Sequence, residues 1–251
     1  MQSQIASLIY QNLQRVHELD VEQRKGHRKE MKAALFLLFS CSVVLGQMPP
    51  RQPVPEVIRI EAQKATQVLM NRVVKGDIDA AFKHMNPKWK KIEARKNGGE
   101  AKLNRKFSEG FADLQAKGIT LRATQSKFPS TAYEVDFGHQ EQIVNGERIK
   151  VGVYKHWMVF VPTVSQVTAV DRGAVPPEIV EMRLDSFQIA LCEKGKNDWT
   201  FIDGAHIKGA ELRQLFPFLP KDEEKLGFPK RGGRVLKIGG KVPANVPGQA
   251  R

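Results

Sequence analysis

Cysteine is nearly absent from this sequence: two residues, Cys41 and Cys192, in 251. Cys41 falls inside an apolar run, so once that run is removed the folded body holds one cysteine and no internal disulfide. A small secreted scaffold stapled by bridges is excluded. Motifs that carry chemistry are missing too. No HExxH, CxxC, GxSxG, P-loop or GxGxxG occurs, and no two histidines stand at helical ligand spacing. No metal and no cofactor is expected. Long apolar runs are equally scarce, since the stretch from Ala33 to Gly46 falls short of the about 20 residues that a bilayer-spanning helix needs.

Acidic residues are outnumbered. The chain has 40 Lys/Arg against 27 Asp/Glu, a net charge of +13 and a pI near 9.8. Residues 1–46 hold only six of those cations and four of the acids, which leaves 34 against 23 in the remainder. The basicity belongs to the body. It suits an anionic polymer, a membrane surface, or a merely solvated face. The positive residues in "NPKWKKIEARK" and "PKRGGRVLK" are not interleaved with aromatics as an RNA-binding motif would have them, so no specific nucleic acid is expected. Trp89 in the first of these clusters reads as a loop anchor or as a stacking platform for a base or sugar.

What is present begins with export. From Met31 the order is one lysine, the apolar run, and then the proline-rich "QMPPRQPVPE", with Val44 and Gly46 three and one positions before a cut at Gln47. This is the layout of a secretory signal. It makes residues 1–30 a mis-assigned upstream extension, residues 31–46 a signal peptide and residues 47–55 a linker, and it puts the product in the periplasm or outside the cell. Signal anchoring and lipidation through Cys41 are the alternatives.

In the body, apolar residues at Val57, Ile58, Ala62, Ala65, Val68, Leu69, Val73 and Val74 predict a helix stopped at Gly76. Asp77 caps a short second helix that Pro87 ends. Leu103, Phe107, Phe111 and Leu114 mark a third, stopped at Gly118. From Ile119 the period becomes two, over "ITLRATQSKF", "TAYEVDFGHQEQIV", "ERIKVGVYKHWMVFVP", "VEMRLDSFQIALCEK" and "DWTFIDG". Asn145-Gly146 and Gly195 to Asp198 predict hairpins. Helices followed by antiparallel strands define an α+β domain over residues 56–204. Residues 205–229 read as a short helix and an apolar strap covering one end of the sheet, and residues 230–251 as a disordered basic tail.

A long helix ending in "VVKGD", the short "IDAAFKHMNP" helix, a further helix and a sheet finishing in "WTFIDG" resemble the NTF2-like superfamily of cone-shaped α+β domains. The resemblance implies a strongly bent antiparallel sheet, with any ligand in a cavity between the helices and its concave face. It implies no particular activity, because members include isomerases, dehydratases, hydrolases and non-catalytic pocketed domains.

Alternation then selects candidate residues. His156 shares a face with Tyr154, Met158 and Phe160, on a strand apolar on both sides and therefore central. Asp185 is in register with Phe187, Ile189 and Leu191. Tyr154, His156 and Asp185 are the expected ligand-binding set, and His156 with Asp185 is the candidate catalytic acid/base pair. Asp136 falls on the face opposite Tyr133 and His139. The leading expectation is an exported, non-catalytic domain that binds a small molecule or a protein partner. The alternatives are an NTF2-like enzyme using the His/Asp pair, and a basic module on an anionic polymer or membrane surface. A homodimer is compatible with all three.

Overall fold

Residues 52–144, 147–171, 177–205 and 207–241 are described by the computed structural model. The chain divides at residue 50, and everything below concerns the unit from Arg51 onward. The expected extension (1–30), the signal segment (31–46) and Cys41 lie outside the described residues. So do Asn145-Gly146, His206 and residues 242–251.

The linker does not stay loose up to residue 55. Val54 is buried, and the Gln52 N–H donates to Glu134 Oε2 at 2.8 Å. Helix α1 then spans Glu56–Val74 and buries Ala62, Thr66 and Leu69. The expected stripe was too wide: Val57 and Val68 face solvent. The buried Thr66 satisfies its hydroxyl by donating to the Ala62 carbonyl at 2.8 Å. Helix α2, Ile78–Lys83, is capped by Asp77, whose carboxylate accepts from the Ala80 N–H.

A further helix follows that the apolar periodicity does not mark. Pro87 does not merely end α2. It opens α3, Pro87–Lys96, with Asn86 accepting from the N–H groups of Lys88 and Trp89. Proline suits the first helical position because its missing N–H would have no partner there. Trp89 therefore stands on a helix rather than a loop. Helix α4, Glu100–Ala116, buries only Leu103. It ends at Gly118, where φ is +76° and a Cβ would come within 2.9 Å of Val170.

Among the described residues six strands form one open antiparallel sheet: β1 (Thr120–Ser126), β2 (Thr131–Val144), β3 (Glu147–Asp171), β4 (Glu178–Glu193), β5 (Thr200–Asp203) and β6 (Gly232–Lys241). Two long central strands, β3 and β4, pair along sixteen residues, and each outer edge is shared by two shorter strands. On β3 that edge is taken by β2 up to Thr131↔Phe160 and by β1 from Ser126↔Thr163. On β4 it is taken by β5 along Gln188–Leu191 and by β6 along Glu178–Asp185. The β2 and β3 strands pair as far as Val144↔Glu147, and a tight turn through Gly195 leads from β4 toward β5.

Two expectations fail here. Strand β3 does not stop at Pro162 but runs on to Asp171. A proline is tolerated because its carbonyl accepts from Lys127 N–H on the β1–β2 connection, so its own missing N–H points into the gap between the two partner strands. The basic tail is not disordered over Gly232–Lys241. It pairs with β4, setting Val235 against Met182 and Ile238 against Val180, and so covers an edge that would otherwise leave backbone groups unpaired.

The two faces of the sheet bury different partners. On one, Val159, Val161, Ala190, Cys192 and Phe201 pack under Ala62 and Leu69 of α1. On the other, Met158, Phe160, Phe187, Ile189 and Leu191 pack under Ile207, Leu212, Phe216, Leu219 and Leu226. These last belong to the strap, which holds α5 (Gly209–Leu215) and α6 (Glu223–Leu226). The strap thus covers a face rather than an end of the sheet. Gly204 permits the turn into it, since a Cβ would fall 2.3 Å from the Phe187 ring. Among the described residues no helix is long and apolar enough to cross a membrane.

Candidate functional site

The expected acid/base pair is not brought together. His156 lies opposite Glu193 on β4, whereas Asp185 lies opposite Val164 on β3, eight residues further along. At about 3.3 Å per residue the two are roughly 26 Å apart. Asp185 is held on its own strand by Arg183 at 3.0 Å, beside β6 on a solvent-accessible part of the sheet. Tyr154 is buried and meets the edge of Phe137, ring centroids 5.5 Å apart.

The carboxylate that does meet His156 is Asp136, on β2. Its φ is +59°, a left-handed conformation that only Asn, Asp and Gly tolerate readily. That twist frees Asp136 from strand alternation, so its side chain reaches His156 on the face where alternation does not place it. His156 Nδ1 lies 3.0 Å from Asp136 Oδ2, a close approach off the axis of the ring N–H rather than an aligned hydrogen bond. Lys88, from α3, pairs with Oδ1 of the same carboxylate and sits 4.9 Å from the Phe216 ring. Burial alone would raise the Asp136 carboxyl, but His156 and Lys88 outweigh it and hold it below the ordinary aspartate value. A 180 Å³ cavity beside this cluster is lined by Lys88, Asp136, Phe137, Phe216 and Phe218.

A more deeply buried carboxylate, Glu134, is neutralised by Lys194, whose ammonium lies 4.2 Å from the Trp157 ring. Cys192 is buried, and burial pushes its thiol up to about 11, so it is packing rather than a nucleophile at neutral pH.

The larger cavity, 790 Å³, opens outside the sheet, between α2, α3, the N terminus of α4 and Thr200 of β5. It is not the space between helices and sheet face that the NTF2-like resemblance implies. Helix α3 supplies its wall. Pro87, Lys90, Lys91 and Ala94 recur at helical spacing, one stripe of a 3.6-residue period, with Arg95 beside them. Lys83 adds a cation from α2, and Glu100 is the acid in the lining.

The cations of α3 are sorted by face. Lys88 is spent on Asp136. Lys96 reaches Glu93 at 2.8 Å and Glu211 of α5 at 3.5 Å, and lies over Trp89. Burial works against its charge, yet the two carboxylates prevail and hold its ammonium above the ordinary lysine value. Lys90 is half-committed, 3.6 Å from Glu100 and 4.3 Å from the Phe82 ring. Lys83, Lys91 and Arg95 are exposed and have no acidic partner among the described residues. In "NPKWKKIEARK" the cations follow one another without an evident pattern until the helix sorts them by face. Recognising Pro87 as a helix start would have exposed the stripe.

Compared with known proteins, the chain matches no family model, no curated protein and no solved structure.

Proposed function

We propose that this chain is an exported, non-catalytic binding module whose ligand is anionic and occupies the α2–α3–α4 cleft. The observation that carries the reading is the contrast around one helix. Lys88 and Lys96 are paired, while Lys83, Lys91 and Arg95 face a 790 Å³ cavity with no acidic partner among the described residues. Export rests on the Ala33–Gly46 run and its flanks. Helices preceding an open antiparallel sheet support an NTF2-like assignment, with the ligand moved from the sheet face to its rim. Calorimetric titration with heparin and with inorganic phosphate tests the reading. Binding should weaken with added salt, as contacts between exposed charges are screened. The double variant K91E/R95E should lose it by about tenfold or more, equivalent to about 1.4 kcal/mol. Binding that is indifferent to both overturns the reading.

One observation favours a second reading, an acid/base enzyme in which Asp136 replaces Asp185 as the partner of His156. A carboxylate at Nδ1 favours the tautomer protonated there and leaves Nε2 as proton acceptor. Under this reading, turnover of any isomerase, dehydratase or hydrolase substrate found by screening disappears in H156A and survives in D185N. Survival in H156A ends it.

A further inference from the structure

The cleft is larger than its charges require. At 790 Å³ it falls within the about 300–1,000 Å³ typical of pockets for organic ligands. Part of its lining is apolar: Met85, buried at the α2–α3 junction, with Pro87 and Ala94 from α3. The cations gather beside that apolar lining. Lys91 and Arg95 stand one turn apart on α3, an arrangement that costs an isolated helix about 0.2–0.5 kcal/mol through like-charge repulsion. No acid among the described residues offsets it, and an anionic head lodged between them would. The guanidinium of Arg95 suits a carboxylate or phosphate because its planar fork can donate two parallel hydrogen bonds. On the facing wall, Gly98 and Gly99 add no side chains to narrow the space.

We infer that the cleft takes an amphiphilic anion: a phosphate or carboxylate head held by Lys91 and Arg95, with an apolar body lying over Met85, Pro87 and Ala94. This rests on the reading of the cleft as an anion site and adds the chemistry of the ligand. An apolar body gains from every square ångström of Pro87 and Ala94 it removes from water, while the head supplies orientation. Neither part alone fills the site.

The test uses the purified full chain and three probes: n-decyl phosphate below its micelle concentration, inorganic phosphate, and the uncharged n-decyl maltoside. Decyl phosphate should bind about tenfold or more tightly than either of the others. Two substitutions on the lining separate the contributions. Ala94→Trp fills the cavity and Ala94→Gln makes its lining polar while keeping a good helix former. Both should erase the advantage of decyl phosphate over inorganic phosphate, at unaltered unfolding midpoints. Vesicles of phosphatidylcholine with and without phosphatidylglycerol then identify the source. Binding to the anionic vesicles points to a membrane lipid, and binding to monomeric decyl phosphate alone points to a soluble amphiphile. Equal affinity for inorganic and decyl phosphate, or an advantage that persists in both Ala94 variants, overturns the inference and leaves the anion reading standing. If K91E/R95E changes no probe at all, the anion reading falls as well.

Discussion

Helix α3 carries charges of two kinds. Toward the strap and sheet, Lys88 meets Asp136 and Lys96 meets Glu93 and Glu211, so each ammonium is matched and each lies against an aromatic ring. Toward the cleft, Lys91 and Arg95 are matched by nothing among the described residues. The first set ties the helix to β2 and the strap, since each ammonium is already matched by a carboxylate there. The second set does nothing for stability and stays available to a ligand. One ten-residue helix thus separates a structural side from a binding side, and substitutions on the two sides should have different readouts.

The largest effect on stability is expected where a charge is most buried. Removing Lys194 in K194A strands the Glu134 carboxylate with little beyond the Gln52 N–H, and should cost about 3 kcal/mol in chemical denaturation. A cost below about 1 kcal/mol would mean that Glu134 is not held as an ion, because breaking a buried pair normally exceeds that.

Next comes Asp136. D136N keeps a residue that tolerates φ +59° but removes the charge, and should cost about 1.5 kcal/mol as the charge-assisted hydrogen bond from Lys88 is weakened. D136A should cost about 1 kcal/mol more, because alanine adds left-handed backbone strain. Equal midpoints for the two variants would show that the backbone relaxes.

A smaller effect follows with pH. The Asp136 carboxyl in the folded chain lies below its unfolded value of about 3.9. Its stabilisation is therefore complete above about pH 4 and is lost as pH falls through the folded value. Acid denaturation curves of wild type and D136N should converge below that point.

On the cleft side, K91A should shift stability by no more than about 0.5 kcal/mol, with a slight gain from relieved repulsion with Arg95. Anion binding should nevertheless fall. A clear loss of stability in K91A would erase the distinction between the two sides.

Reading by local pattern succeeded where neighbours in sequence decide the conformation. The Asp77 cap, the glycine stops at Gly76 and Gly118 and the period-two runs are contests settled within a few residues. Pro87 was misread because proline both ends one helix and opens the next, and only the Asn86 cap distinguishes the two roles. Pro162 reads as a strand end because the gap that accommodates it lies between strand ends at Ser126 and Thr131, more than 30 residues back in the chain. The partner of His156 was missed for a similar reason. Alternation assigns Asp136 to the far face, and its left-handed φ leaves no mark in residue type beyond the tolerance of aspartate for it.

By itself the sequence determined an α+β domain with helices first and antiparallel strands after, a basic body, and a central strand carrying His156, because periodicity and capping are local and each residue carries its own preference. Only the tertiary structure decided that the strap covers a sheet face, that "GGRVLKIGGK" becomes an edge strand, that Asp136 rather than Asp185 reaches His156, and that Lys91 and Arg95 have no acidic partner among the described residues. Those outcomes depend on which distant groups arrive at the same place to share burial and charge, and spacing along the chain holds no record of that meeting.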